Sequence, residues 1–260
     1  MGNPYATKAT VNKDYYVMNS AGTSLVPNAL SANGEIDPMQ GIFVLATEAG
    51  QKVKFEQVSA KSTGNSAVEL NLSQSRGGVI DRAIVRFGNS NTLPKFQLFE
   101  NSTKLYIAQD GKDYAIIGAE AQGEMPVNFK ASKNGSYTIS VNANEVEMNY
   151  LHLIDNLTGN DVDLLATPSY SFEANTADYA SRFRLVFSVN NANSEQFAFI
   201  SNGEIVLDGQ GTVQVFDVTG RIIGSYYNAT RIATENMAAG VYMLRLINGS
   251  DVKTQKIVIK

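Results

Sequence analysis

The stretch "AAGVYMLRLINGSDVKTQKIVIK", residues 238–260, alternates between two faces on either side of an Asn-Gly pair. In its first half Tyr242, Leu244 and Leu246 share one face, and Val241, Met243, Arg245 and Ile247 share the other. In its second half Ile257 and Ile259 alternate with Lys256, Val258 and Lys260. A period of two marks a strand with one buried face. Asn248-Gly249 tolerates positive φ at two successive positions, the geometry of a tight hairpin. The stretch therefore reads as two antiparallel strands, and it sets the terms on which the rest of the chain is read.

The same signature recurs upstream. Asn33-Gly34, Asp110-Gly111, Asn134-Gly135, Asn202-Gly203 and Asp208-Gly209 are further turn pairs, most of them flanked by short β-prone runs such as "KLYIAQ" and "SYTISV". No long stretch carries apolar residues at helical spacing, so the chain is expected to be all-β, built as sandwiches or barrels. Near the C-terminus strands are expected at 197–200, 204–207, 212–217, 221–227, 230–233, 241–247 and 251–259, which suits a small immunoglobulin-like seven-stranded sandwich. The polar, Asn-rich stretch 188–196 reads as a linker. The organisation expected is thus a larger, jelly-roll-like β-sandwich over residues 1–190 and the small sandwich over 195–260. Residues 58–67 read as a long loop inside the larger sandwich. The first 57 residues, with strands expected at 15–18, 42–46 and 52–57, would struggle to bury a core alone. They either complete that sandwich or stand as a separate N-terminal part.

Composition removes several function classes. The net charge is −4 and the Lys and Arg residues are dispersed, whereas nucleic-acid binding needs a basic patch. No apolar run approaches the ~20 residues that span a bilayer as a helix. The chain has no cysteine, which excludes disulfides, thiolate chemistry and Cys-based metal sites. The start, "MGNPYATKAT", lacks the charged-then-apolar pattern of a secretory leader, and Ala6 departs from the myristoylation pattern. That leaves a cytoplasmic chain or a piece of a longer one.

Candidate chemistry is sparse. His152, the one histidine, would have to serve any Ser-His-Asp triad, but no G-x-S-x-G elbow is present, and a strand histidine that is solvated or hydrogen-bonded is the simpler reading. Asp155 to Asp163 group hard oxygen ligands suited to calcium, without EF-hand spacing; a hairpin turn explains the same residues. Carboxylate pairs for a glycosidase cannot be singled out among 25 acidic residues. The 12 Tyr and 12 Phe could supply sugar-stacking platforms, but alternating strands such as "SYSFEA" and "RFRLVF" favour burial. "SRGGVIDR", residues 75–82, lacks the G-K-[ST] of a phosphate loop. Asn101, Asn156 and Asn228 would be glycosylation acceptors only in a eukaryotic secretory route.

"GTVQVFDVTGRIIGS", followed by the opening stretch, resembles the type A sorting domain of the type IX secretion system in Bacteroidetes. The family pattern is a strand leading to D-x-x-G-R, a strand of the form l-x-x-G-x-Y-x-l-r, and a closing K-i-x-x. The matching positions are Asp217, Gly220 and Arg221, then Gly240, Tyr242 and Arg245, then Lys256 and Ile257, across residues 197–260. Upstream, "GNPY", "IDPMQGIFV", "YLHLIDNLTGNDVDLL" and "SRFRLVF" resemble a cell-adhesion module that often precedes this domain in Bacteroides and Prevotella surface proteins. The resemblance implies a non-catalytic, C-terminal part of a secreted or outer-membrane surface protein, with the secretion machinery as one partner and a host or glycan ligand as another. It implies no cofactor and no metal. A carbohydrate-binding module of a larger glycan-acting protein is the second reading. An enzyme in its own right is the third, with few general bases or nucleophiles to draw on.

Overall fold

A computed structural model describes residues 9–11, 14–19, 21–28, 35–36, 41–46, 48–52, 55–57, 66–74, 78–88, 92–144, 146–190 and 196–260. Among these the secondary structure is all strand, with no helix. The chain divides into two compact units: Met1–Ala121 with Met125–Glu147 and His152–Leu185, and Val186–Lys260 with Gln122–Glu124 and Met148–Leu151.

The larger unit is built on an eleven-stranded sheet. Its order runs Asn160–Asp163, Met148–Asp155, Phe183–Val189, Gln122–Lys130, Lys104–Gln109, Lys112–Ala119, Val79–Phe87, Ala67–Gln74, Gly135–Asn144, Ser169–Ala174, with Leu93–Pro94 branching from Lys112–Ala119. The pairing of Lys112–Ala119 with Val79–Phe87 is parallel, Ile116 opposite Ile84. Sheets this wide curl or split, and here the two ends of the strand order meet. Phe129 and Phe183, near one end, pack edge-to-face on Tyr137 and Phe172, near the other, with centroids 4.8–5.2 Å apart. One continuous sheet thereby closes into a sandwich around an aromatic core. Tyr137 closes its own strand end, its hydroxyl donating to the Lys133 carbonyl at 2.7 Å.

The described strands of the first 57 residues find partners in this unit. Tyr15–Met18, Leu25–Asn28 and Ile42–Val44 form a three-stranded antiparallel sheet. Tyr16 and Leu25 pack against Ala67, Ile84, Ala115 and Ile116 of the large sheet. On the opposite face Tyr15, Val17, Ile42 and Val44 pack with Ile36, from a second small sheet of Glu35–Ile36, Ala9–Val11 and Phe55–Gln57. The strand expected at 42–46 ends at Val44, and the one expected at 52–57 is described from Phe55. Residues 58–65 of the expected loop, and Asn33-Gly34, lie outside the described residues. The stretch 188–196 begins inside a strand: Phe183–Val189 runs through Ser188, which is buried. Residues 191–195 lie outside the described residues.

In the C-terminal unit Ala198–Ser201, Glu204–Leu207 and Arg231–Ala233 make a three-stranded sheet. Ile222–Tyr227, Thr212–Phe216, Gly240–Asn248 and Asp251–Ile259 make a four-stranded one. The seven strands match the seven expected. Ala198, Ile205, Leu207 and Ile232 from the first sheet meet Val213, Val215, Tyr242, Leu244, Leu246, Ile257 and Ile259 from the second, so the two sheets sandwich one apolar core. Asp110-Gly111 and Asn202-Gly203 have positive φ at both residues, as hairpin turns of two residues require. The terminal hairpin differs. Asn248 pairs with Asp251 as part of the strands, so Gly249 and Ser250 make the turn and only Gly249, at φ +61°, is left-handed.

Candidate functional site: one motif on three surfaces

The motif residues fall in three environments of the C-terminal unit. The first is a turn. Asp217 Oδ1 accepts from the Thr219 hydroxyl at 2.6 Å, the Thr219 amide at 2.9 Å and the Arg221 amide at 3.1 Å, while its Oδ2 accepts from Arg221 Nε at 3.0 Å. The Gly220 amide donates to the Asp217 carbonyl, and Gly220 sits at φ +81°, a conformation that costs a residue with a Cβ. The Thr219 hydroxyl, the two backbone amides and Arg221 hold the Asp217 carboxyl at a pKa of about 2, against the opposing effect of desolvation. D-x-x-G-R is thus a self-sufficient turn: the Asp organises it, the Gly permits it, and Arg221 caps it from an exposed position.

The second environment is the core. Gly240 opens its strand opposite Ile259. Two residues on, Tyr242 is buried opposite Ile257, and its hydroxyl donates to the Ala238 carbonyl at 2.8 Å. A tyrosine that reaches back to the backbone a few residues upstream pins the corner where a strand enters a sandwich.

The third environment is the outer face of the four-stranded sheet. Arg245 lies between Gln214 and Thr254, and Lys256 lies opposite Met243. Because paired residues share a face, Arg245 and Lys256 are diagonal neighbours on the side turned away from the core, and both are exposed. The apolar side chains around them are exposed too: Met243, Val252, Val258 and, on the far edge strand, Tyr227 at 79 %. Arg245 and Lys256 thus stand on a solvent-facing sheet of mixed apolar and polar side chains, bounded at one edge by the last strand. The sequence parity placed Tyr242 and Arg245 on opposite faces, and the structure does the same.

Two residues that organise this unit escaped the sequence reading. Gln255 accepts from the Phe197 and Ala198 amides at 2.7 and 2.9 Å and donates to the Ala198 carbonyl, so that one side chain ties the last strand to the other sheet. Its signal was a polar residue on the buried parity set by Ile257 and Ile259. Gly211 approaches the next strand so closely that a Cβ would lie 2.3 Å from the Ile247 carbonyl oxygen.

Residues 192–260 match the family described as the secretion system C-terminal sorting domain. No curated protein and no solved structure matches the chain. A sorting domain of the type IX pathway implies a secreted or outer-membrane surface protein and an interaction with the secretion machinery. Among the described residues no helix is long and apolar enough to cross a membrane.

The larger unit carries its own candidate. A cleft of about 580 Å³ lies between the 21–24 turn, the 99–103 loop and the 132–133 turn, within the size range of ligand sites. Phe99 is 54 % exposed at its edge, and Gln74, Asn101, Ser102 and Lys133 supply polar groups. The residues that the sequence offered for other chemistry are occupied. His152 Nδ1 is 2.7 Å from Asp161 Oδ1 across the Met148–Asp163 hairpin. Asp155 is buried and accepts from Arg182, the Tyr170 hydroxyl and the Leu157 amide. Burial raises the Asp155 pKa, but those bonds and the Arg182 charge outweigh it and hold the carboxyl below its usual range.

Proposed function

We propose that the chain is a non-catalytic part of a secreted or cell-surface bacterial protein, of the Bacteroidetes type, in which an immunoglobulin-like sorting domain follows an adhesion module. The observation that carries the sorting reading is the separation of the motif by face. Asp217, Gly220, Gly240 and Tyr242 shape the sandwich, while Arg245 and Lys256 stand on its outer sheet among exposed apolar side chains. Because Arg245 and Lys256 take no part in the core, their exposed side chains are available for recognition. The outer face with Arg245 and Lys256 is the surface presented to the export machinery, and Tyr242 acts by holding that face in shape. The seven strands in two sheets and the Tyr242 corner support the immunoglobulin-like assignment.

The test places the full chain behind a signal peptide in a Bacteroidetes strain with an intact type IX apparatus. The parent chain is expected at the cell surface. Arg245→Ala with Lys256→Ala is expected to stay in the periplasm while keeping the parent's far-UV circular dichroism and unfolding midpoint. Export of the double variant at the parent's level would remove the outer face from the recognition model.

The Phe99 cleft favours a second reading, glycan binding by the larger unit. An exposed ring beside amide and hydroxyl groups is how proteins stack and hydrogen-bond a sugar. Titration of the full chain with a panel of soluble bacterial and host polysaccharides, compared with Phe99→Ala, tests it. A ligand that binds the parent and is lost by Phe99→Ala supports the reading, and equal binding by both places the site elsewhere.

A further inference from the structure

Lys95 and Asp81 meet in the interior of the larger unit. Lys95 Nζ lies 2.6 Å from Asp81 Oδ1, with side chains 2 % and 0 % exposed. The contact is held from both sides. Asp81 belongs to the strand Val79–Phe87, in the middle of the sheet. Lys95 follows Leu93–Pro94, which pairs with Lys112–Ala119, and its own amide donates to the Asp113 carbonyl at 2.8 Å. Tyr16 closes the site: its hydroxyl donates to the Pro94 carbonyl and accepts from the Phe96 amide, the two residues that flank Lys95. Neither side chain can swing into water without moving a strand.

The two oxygens of Asp81 are differently engaged. Oδ1 faces Nζ, while Oδ2 accepts from the Leu105 amide at 2.8 Å. An amine beside a carboxyl, with a fixed backbone N–H on the far oxygen, is the ground-state arrangement of an acyl transfer. Burial supports the chemistry. It pushes the Asp81 carboxyl up and the Lys95 ammonium down, each toward its neutral form, against their mutual attraction. Lys104 and Asp113 act on Lys95 in opposite directions.

We propose that Lys95 and Asp81 close an intramolecular amide bond in the folded protein. Neutral Nζ attacks Cγ of the protonated carboxyl, and Leu105 N–H stabilises the charge that develops on Oδ2. The Cγ–Oδ1 bond breaks, and Oδ1 leaves as water with a proton shed by Nζ. One C–N bond replaces one C–O bond, one water is released, and no oxidant or cofactor takes part. The bond would join Val79–Phe87 covalently to the segment after Leu93–Pro94. A chain with no cysteine would thereby gain a cross-link that no reductant cleaves, in a protein whose sorting domain implies life outside the cell.

The experiment is intact-mass spectrometry of the purified, denatured full chain after prolonged incubation in the folded state, followed by tryptic mapping. The expected result is a mass lower than the sequence by one water, a branched peptide joining Lys95 to Asp81, and no tryptic cleavage after Lys95. Lys95→Met is expected to show the full sequence mass. The parent's own mass decides the matter even if that variant fails to fold. The full sequence mass with normal cleavage after Lys95 overturns the proposal, and so does a water loss that maps to any other residue.

Discussion

Among the described residues of the larger unit, ion pairs such as Arg182 with Asp155, Lys95 with Asp81 and Arg86 with Asp14 lie largely out of solvent. In the sorting domain the central cluster is made of aliphatic and aromatic side chains, while the positive charges of its motif, Arg221, Arg245 and Lys256, stand in solvent. Both units pin a strand with a tyrosine hydroxyl that reaches back four residues, Tyr137 to Lys133 and Tyr242 to Ala238. The shared corner reflects a shared need to enter a sandwich at a fixed angle. The opposite treatment of charge reflects different tasks. A buried pair gains little net stability but is costly to break, so it fixes which strands lie together. A charge on an outer face contributes almost nothing to folding and is available for recognition.

The largest effect is expected where the contrast is sharpest. Arg182→Met leaves the Asp155 carboxylate buried with the Tyr170 hydroxyl and the Leu157 amide alone, and also removes a guanidinium packed 4.5 Å from the Phe172 ring centroid. Breaking such a pair from one side costs about 3–5 kcal/mol, measurable by urea unfolding of the full chain. Adding Asp155→Leu is expected to restore much of the loss. The pH dependence carries a sign. The folded parent holds the Asp155 pKa down, so its contribution is present above the unfolded-state pKa and is lost as pH falls through the folded value. In Arg182→Met the buried carboxylate is instead relieved by protonation. The gap between variant and parent should therefore narrow on acidification, and a gap that stays constant would show that packing rather than charge is at work.

The matching change in the sorting domain is Leu244→Ala. Leu244 is fully buried at the centre of the cluster, and truncating such a side chain costs about 3 kcal/mol through lost burial and the cavity left behind. No carboxylate, histidine, lysine or arginine belongs to that cluster, so the loss should be the same at neutral and acidic pH. A strong pH dependence would point instead to Asp208, which follows the cluster residue Leu207 and whose carboxyl is pushed up by burial.

Which of these features could be read from the sequence follows from how local each one is. The terminal hairpin was legible because its alternation is uninterrupted from Val241 to Ile247 and resumes before Ile257. Even there the turn slipped by one residue. Asn248-Gly249 is the better dipeptide for a left-handed pair, but the facing of Leu246 with Lys253 and Tyr242 with Ile257 forces Asn248 opposite Asp251, and side-chain register prevailed over turn propensity. The sorting motif was legible in position, since its spacing is fixed by one turn and two adjacent strands. The larger unit was not. Its strand order places Lys112–Ala119 parallel to Val79–Phe87, and its ion pairs join Arg86 to Asp14 and Arg182 to Asp155, residues distant in sequence. In the sequence Asp155 looked like a turn carboxylate and Arg182 like a strand polar residue. Only the closure of the sheet makes them partners.

The tyrosine corners give a smaller and more discriminating comparison. Tyr137→Phe and Tyr242→Phe keep the ring and remove one hydroxyl, leaving the Lys133 or the Ala238 carbonyl to find water. Each is expected to cost about 1 kcal/mol, the net worth of one hydrogen bond. The two should be nearly equal, because donor, acceptor and separation are alike. If Tyr137→Phe costs much more, the excess belongs to the aromatic cluster around Phe129 and Phe172, where the carbonyl has less access to solvent.

The smallest effect on stability is expected where the effect on function is largest. Arg245→Ala with Lys256→Ala removes two exposed side chains that face Gln214, Thr254 and Met243 across the strands, and surface changes of this kind stay within about 0.5 kcal/mol. The unfolding midpoint should hardly move, while Leu244→Ala, one residue from Arg245 on the opposite face, lowers it clearly. Measured beside export, the two variants separate shape from recognition. If both lose export but only Leu244→Ala loses stability, the outer face is read directly. If export follows stability in both, the machinery requires no more than a folded sandwich, and the charges that distinguish the sorting domain from the larger unit would have no role in recognition.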